Sequence, residues 1–146
     1  MGAENVEKRV VSGVKACKLT ITTAADGVEN SITRDGEMEL SLAKVLLRYR
    51  EENAFVVIIL EGDTAKIERE GDYSLRLALK EGETLTGEIG IGGSGGEIHT
   101  FAHRVAYSVS KDSLLLSLKY DLLISGEKQE MKLRLISRFK EEKDED

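Results

Sequence analysis

Apolar and polar residues alternate along most of this chain, the period-2 pattern of half-buried strands. The clearest case is DSLLLSLKYDLLI, residues 112–124, in which Leu114, Leu116, Leu118, Tyr120, Leu122 and Ile124 share one face. Ser117, Lys119 and Asp121 share the other. The same phase puts Leu75, Leu77 and Leu79 inward on one strand and Met131, Leu133 and Leu135 inward on the last, with Lys132, Arg134 and Arg138 outward. Turn pairs separate these runs: Asp26-Gly27, Asp35-Gly36, Glu52-Asn53, Gly62-Asp63, Gly71-Asp72, Glu81-Gly82, the glycine cluster of residues 90–96, Lys111-Asp112 and Gly126-Glu127. Many short strands divided by tight turns predict an all-β sandwich or antiparallel barrel, and a closed barrel is preferred because it leaves no aggregation-prone edge. One segment, SLAKVLLRYREEN, fits a helix capped by Ser41 as well as it fits a strand.

The 146 residues are expected to form one domain over residues 1–139, followed by an acidic, disordered tail over 140–146. The formal net charge is -6, and the closing EEKDED, with five acids and one lysine, carries -4 of it. The rest is nearly neutral, and only 5% of residues are aromatic, so neither a basic footprint nor stacking platforms point to nucleic acid. The outward row Lys132, Arg134, Arg138 and Lys140 is the one basic stripe and reads as a solvated face. The longest apolar run, AFVVIIL at 54–60, is too short to span a bilayer, and the chain opens on no charged leader with an apolar run. No membrane partner is expected, and the cytoplasm is the expected compartment. Cys17, the lone cysteine, is in phase with Leu19 and Ile21 and reads as a small buried hydrophobe.

The stretch GIGGSGG matches G-x-G-x-x-G through Gly90, Gly92 and Gly95. A dinucleotide site needs a helix after the glycines, whereas EIHTFAHRVAYSVS alternates as a strand, so the cluster is read as a hairpin loop. His99 and His103 have zinc spacing only on a helix; on a strand their α-carbons are about 13 Å apart at roughly 3.3 Å per residue, too far for one ion. No metal and no cofactor are expected. If the alternation runs unbroken, His99, Phe101, His103, Val105 and Tyr107 face inward and Ile98, Thr100, Ala102 and Arg104 outward, and Arg69 and, if its segment is a strand, Glu51 face inward too. Buried charges need partners. The expectation is a polar cluster of Glu51, Arg69, His99, His103, Tyr107 and Tyr120 within the barrel as a ligand site; the alternative is that Glu51 and Arg69 form a structural ion pair or point into solvent at a barrel rim, with the histidines as satisfied core or rim groups.

From VKACKLTITT to MKLRLISRF the chain resembles the small bacterial proteins of unknown function typified by YwiB. The likeness rests on YREE at 49–52, IEREGDYSLRLAL at 67–79, GEIHTFAHRV at 96–105 and LSLKYDLLISGE at 116–127. Tyr49, Glu51, Arg69, Gly71, Gly96, Thr100 and Tyr120 stand at matching positions, while EIGIGGSGG replaces the Tyr-x-Thr element that members tend to carry. The resemblance implies a single antiparallel, lipocalin- or calycin-like barrel of about 8–10 strands, with a strand rather than a helix at 44–51. It implies no activity. The leading functional expectation is a barrel that holds a small, partly apolar ligand in its interior, with Arg69 anchoring an anionic group. The alternatives are an interaction module with a filled core, homodimerisation included, and an enzyme using His99 or His103 as general base.

Overall fold

In the computed structural model, which describes residues 13–140, ten antiparallel strands form a closed barrel. They are β1 (Val14–Ala25), β2 (Val28–Leu40), β3 (Lys44–Glu51), β4 (Ala54–Glu61), β5 (Thr64–Gly71), β6 (Tyr73–Lys80), β7 (Thr84–Ile91), β8 (Ser94–Val109), β9 (Ser113–Ile124) and β10 (Glu127–Phe139). Each strand pairs with its neighbours in sequence, and β1 pairs with β10 to close the ring. Residues 1–12 and the expected tail beyond Lys140 lie outside the described residues. Among the described residues no helix is long and apolar enough to cross a membrane.

The strands form where the alternation says they should. Leu114, Leu116, Leu118, Tyr120 and Leu122 of β9 are all buried, as are Leu133 and Leu135 of β10 and Leu77 and Leu79 of β6. These side chains, with Leu19, Leu47, Ile58, Leu60 and Ile98, make one continuous core that fills the interior. The ambiguous segment is strand β3: Val45, Leu47 and Tyr49 are buried, while Leu42, which a helical stripe would have covered, is fully exposed. Cys17 is buried, as its phase required.

Two turn signals play out differently. At the glycine cluster, β7 and β8 meet through Gly92 and Gly93, both at positive φ, a tight hairpin with strands on either side and therefore no helix N-terminus for a phosphate. At Asp35-Gly36 the expected turn is absent, and the pair lies inside β2. Gly36 is needed there for close approach, since a Cβ would meet the Arg48 carbonyl oxygen at 2.5 Å and Leu19 Cδ1 at 2.7 Å.

The ladder has one seam. β6 pairs with β7 only from Tyr73 to Arg76, and the first half of β7 pairs with β8 alone. Side chains and turn backbone seal the gap: the Thr100 hydroxyl, almost wholly buried, donates to the Ala78 carbonyl at 2.7 Å, the Gly82 amide donates to the Ala102 carbonyl at 2.8 Å, and Glu81 accepts from the Val105 amide at 2.9 Å. A buried carbonyl left without a donor costs about 1–3 kcal/mol. Thr100→Val is therefore expected to destabilise the barrel by about that much in urea denaturation, and Thr100→Ser by less. Equal losses from the two variants would show that the hydroxyl does not hold the seam.

Candidate functional site

Two of the six expected site residues meet as the alternation implied. Glu51 ends β3 and Arg69 nears the end of β5, both in the inward phase, and β4 between them brings the two strand ends together. Arg69 Nε donates to Glu51 Oε1 at 3.2 Å, Nη2 lies 2.9 Å from Asp72 Oδ1, and Nη1 donates to the Tyr73 carbonyl at 2.8 Å. The Tyr73 ring stacks on the guanidinium, 3.8 Å from its centroid. Arg69 holds the Asp72 carboxyl below its ordinary range. The guanidinium is thus matched by two carboxylates, a carbonyl and a ring, and the cluster ties the end of β3 to the β5–β6 turn.

The two histidines are not inside. β8 carries an irregularity between Ala102 and Arg104, where β9 counts one residue fewer than β8. Such a bulge reverses the phase of everything beyond it. Ile98, Thr100 and Ala102 consequently face the core before the bulge, and Val105 and Tyr107 pack against it after the bulge. His99, Phe101 and His103 point outward instead. His99 Nδ1 lies 3.4 Å from Thr86 Oγ1. His103 Nε2 lies 2.9 Å from Asp121 Oδ2, with its ring edge-on to Phe101.

Tyr120 is buried in the core, and burial pushes its phenol up to about 12. Tyr49, buried near Glu51, is pushed up as well by burial and by that carboxylate. Burial also raises the Cys17 thiol, which keeps it protonated and inert. The structure therefore divides the six expected residues among three places: Glu51 and Arg69 at one end of the barrel, Tyr120 and Tyr107 within or against the core, and His99 and His103 outside.

The pairing registers also assemble a site that the sequence did not show. On the outer face, Arg104 of β8 sits opposite Lys119 of β9, and Lys119 sits opposite Lys132 of β10. Arg134 is the next outward residue of β10, opposite Ser117. None of these four cations makes an ion pair among the described residues. The adjoining row is Asp121 opposite Glu130, and Asp121 is engaged by His103. Two hollows open on this face and share Arg104, Ser117 and Arg134. One, of about 370 Å³, is floored by Ala106, Leu115 and Ile136; the other, of about 240 Å³, is edged by Lys119, Lys132 and Glu29. Outward Arg104, Lys119, Lys132 and Arg134 were all legible in the alternation. Which of them stand opposite one another depends on register, which alternation does not encode.

Residues 14–135 match the family model described as a domain of unknown function, DUF1934. No curated protein sequence matches the chain. Its fold is similar to that of the ywiB protein from Bacillus subtilis, at a TM-score of 0.79 and 13% identity over 92% of this chain and 99% of that one. At that identity the likeness is one of fold.

The core tyrosine gives a pH test with a definite sign. A phenol whose folded value lies above its unfolded 10.0 binds its proton more tightly in the native state, so its contribution is whole below pH 10 and is lost as pH rises. Cys17 acts in the same direction above its unfolded 9.0. Urea stability is expected to fall by about 2–3 kcal/mol on Tyr120's account between about pH 9 and pH 12. The fall is expected to be shallower in Tyr120→Phe; an unchanged profile in that variant would remove Tyr120 as its source.

Proposed function

The chain belongs to the DUF1934 family, and from a membership that supplies a fold without an activity we propose that it is a binding protein recognising an anionic ligand on the outer face of β8, β9, β10 and β1. One observation carries this reading. In a chain of net charge -6, Arg104, Lys119 and Lys132 stand side by side across three strands with Arg134 beside them, and none is ion-paired among the described residues. Like charges set directly opposite one another weaken a sheet. The acids Asp121, Glu130 and Glu29 flank these cations without ion-pairing with them among the described residues, and a sequence that departs from such a local rule commonly does so at a functional site.

The interior offers less support for a ligand. Large aliphatic side chains occupy it, and Arg69, the cation expected to anchor an anion there, is already matched by Glu51 and Asp72. The interaction-module reading draws on the same outer surface, where Leu115 is half exposed. For the enzyme reading the favourable feature is the His103–Asp121 contact, which fixes a ring as a general base requires; its stacking neighbour is Phe101, not a nucleophile.

The reading predicts opposed effects of one substitution. Lys132→Glu places an acid opposite Lys119 and is expected to stabilise the barrel by about 0.5–1 kcal/mol at low salt, a gain that shrinks as salt screens it. The same variant is expected to lose affinity for anionic probes such as octyl phosphate, with amide shifts at Lys119, Lys132 and Arg134 in the parent protein reporting the site. Shifts centred on Arg69 and Tyr120 would return the ligand to the interior and overturn the proposal.

A further inference from the structure

The outer face has two compartments of different character joined at two arginines, and their chemistry narrows the ligand. Leu115, Ile136 and Ala106 form an apolar floor on one side of Arg104 and Arg134. Leu115 faces Ser108 and Ile136, so the floor continues across β8, β9 and β10 without a charge. On the other side Lys119 and Lys132 raise the count of cations to four, against one acid, Glu29, at the edge of that hollow. Leu115 leaves half of its surface in water and lies in the middle of that floor, where an apolar group of a ligand would reach it.

Resting on the outer-face reading above, we propose that the ligand is a small soluble amphiphile with an anionic head, a carboxylate or phosphate attached to an alkyl or acyl chain. The head sits between Arg104 and Arg134, whose planar guanidinium groups donate in pairs to such oxygens, with Lys119 and Lys132 beyond them. The chain lies along Ala106, Leu115 and Ile136, within a hollow of about 370 Å³ that falls in the size range of small-molecule sites. Both halves are needed. The cations alone would take any multivalent anion, and the apolar floor alone would take any oily molecule.

The experiment is an amide-resolved NMR titration of the whole protein with octyl phosphate, octanoate, octanol and inorganic phosphate, each below its micelle concentration. Octyl phosphate and octanoate are expected to shift Ala106, Leu115, Ser117 and Ile136 together with Arg104 and Arg134. Octanol and inorganic phosphate are expected to bind at least about tenfold more weakly. Leu115→Gln, a change at an exposed position, is expected to weaken octyl phosphate about tenfold and leave inorganic phosphate unchanged. Inorganic phosphate binding as tightly as octyl phosphate would keep the anion-binding outer face and remove the apolar half of the ligand. Octanol binding as tightly as octanoate would remove the anionic half. Capture of phosphatidylglycerol vesicles without binding of the monomeric amphiphiles would assign the surface to a membrane and overturn the proposal. No shift on this face with any probe would overturn both the ligand class and the outer-face reading.

Discussion

Closure of the sheet between β1 and β10 is the constraint on which the rest depends. The pairing runs from Cys17 opposite Phe139 to Ala25 opposite Met131. Once those two strands are joined the ring is closed except for the short seam between β6 and β7, and every strand has one face committed to a shared interior. A shift of one residue in any strand would turn its leucines to water and its charges inward, so the register of all ten strands is fixed together. Both proposed properties follow from that: an interior occupied by aliphatic side chains, and an exterior on which residues far apart in sequence stand in fixed rows. Arg104, Lys119 and Lys132 are neighbours because β8, β9 and β10 have no freedom to slide.

Much of this was legible in the sequence. The alternation of β9 gives its core residues one by one, and the inward phase of Glu51 and Arg69 gives the ion pair at the barrel's end. What was not legible has specific physical causes. Asp35-Gly36 looks like a turn because glycine serves two purposes, positive φ and close approach, and only the neighbouring Arg48 and Leu19 reveal which is in force. His99 and His103 look inward because Val105 and Tyr107 truly are, and one inserted residue between Ala102 and Arg104 separates the two phases. A single irregularity therefore removes two histidines from the interior.

The division of polar groups between inside and outside follows from the cost of burial. Tyr49 and Tyr120 can remain in the core because a phenol stays neutral when burial raises its pKa. Arg69 stays charged and is tolerated only at the end of the barrel, where Glu51, Asp72 and the Tyr73 carbonyl meet its donors. A ligand that displaced either carboxylate there would leave that acid without its partner, whereas Arg104 and Arg134 on the outer face have no ion-pair partner to give up among the described residues.

The same reasoning bears on why an unfavourable row of cations would persist in a stable fold. Surface charges facing each other across strands cost only a fraction of a kcal/mol per pair, because water and salt screen them. A core of this extent tolerates that cost, and the seam beside β6 shows the fold absorbing a larger irregularity with a single threonine and two turn residues. The repulsion is smallest in cost where an anion is bound and largest where the face is bare. An empty site of this kind is therefore held slightly above its relaxed energy by the strand pairing itself, and neutralisation of that repulsion adds to whatever the ligand's own contacts contribute.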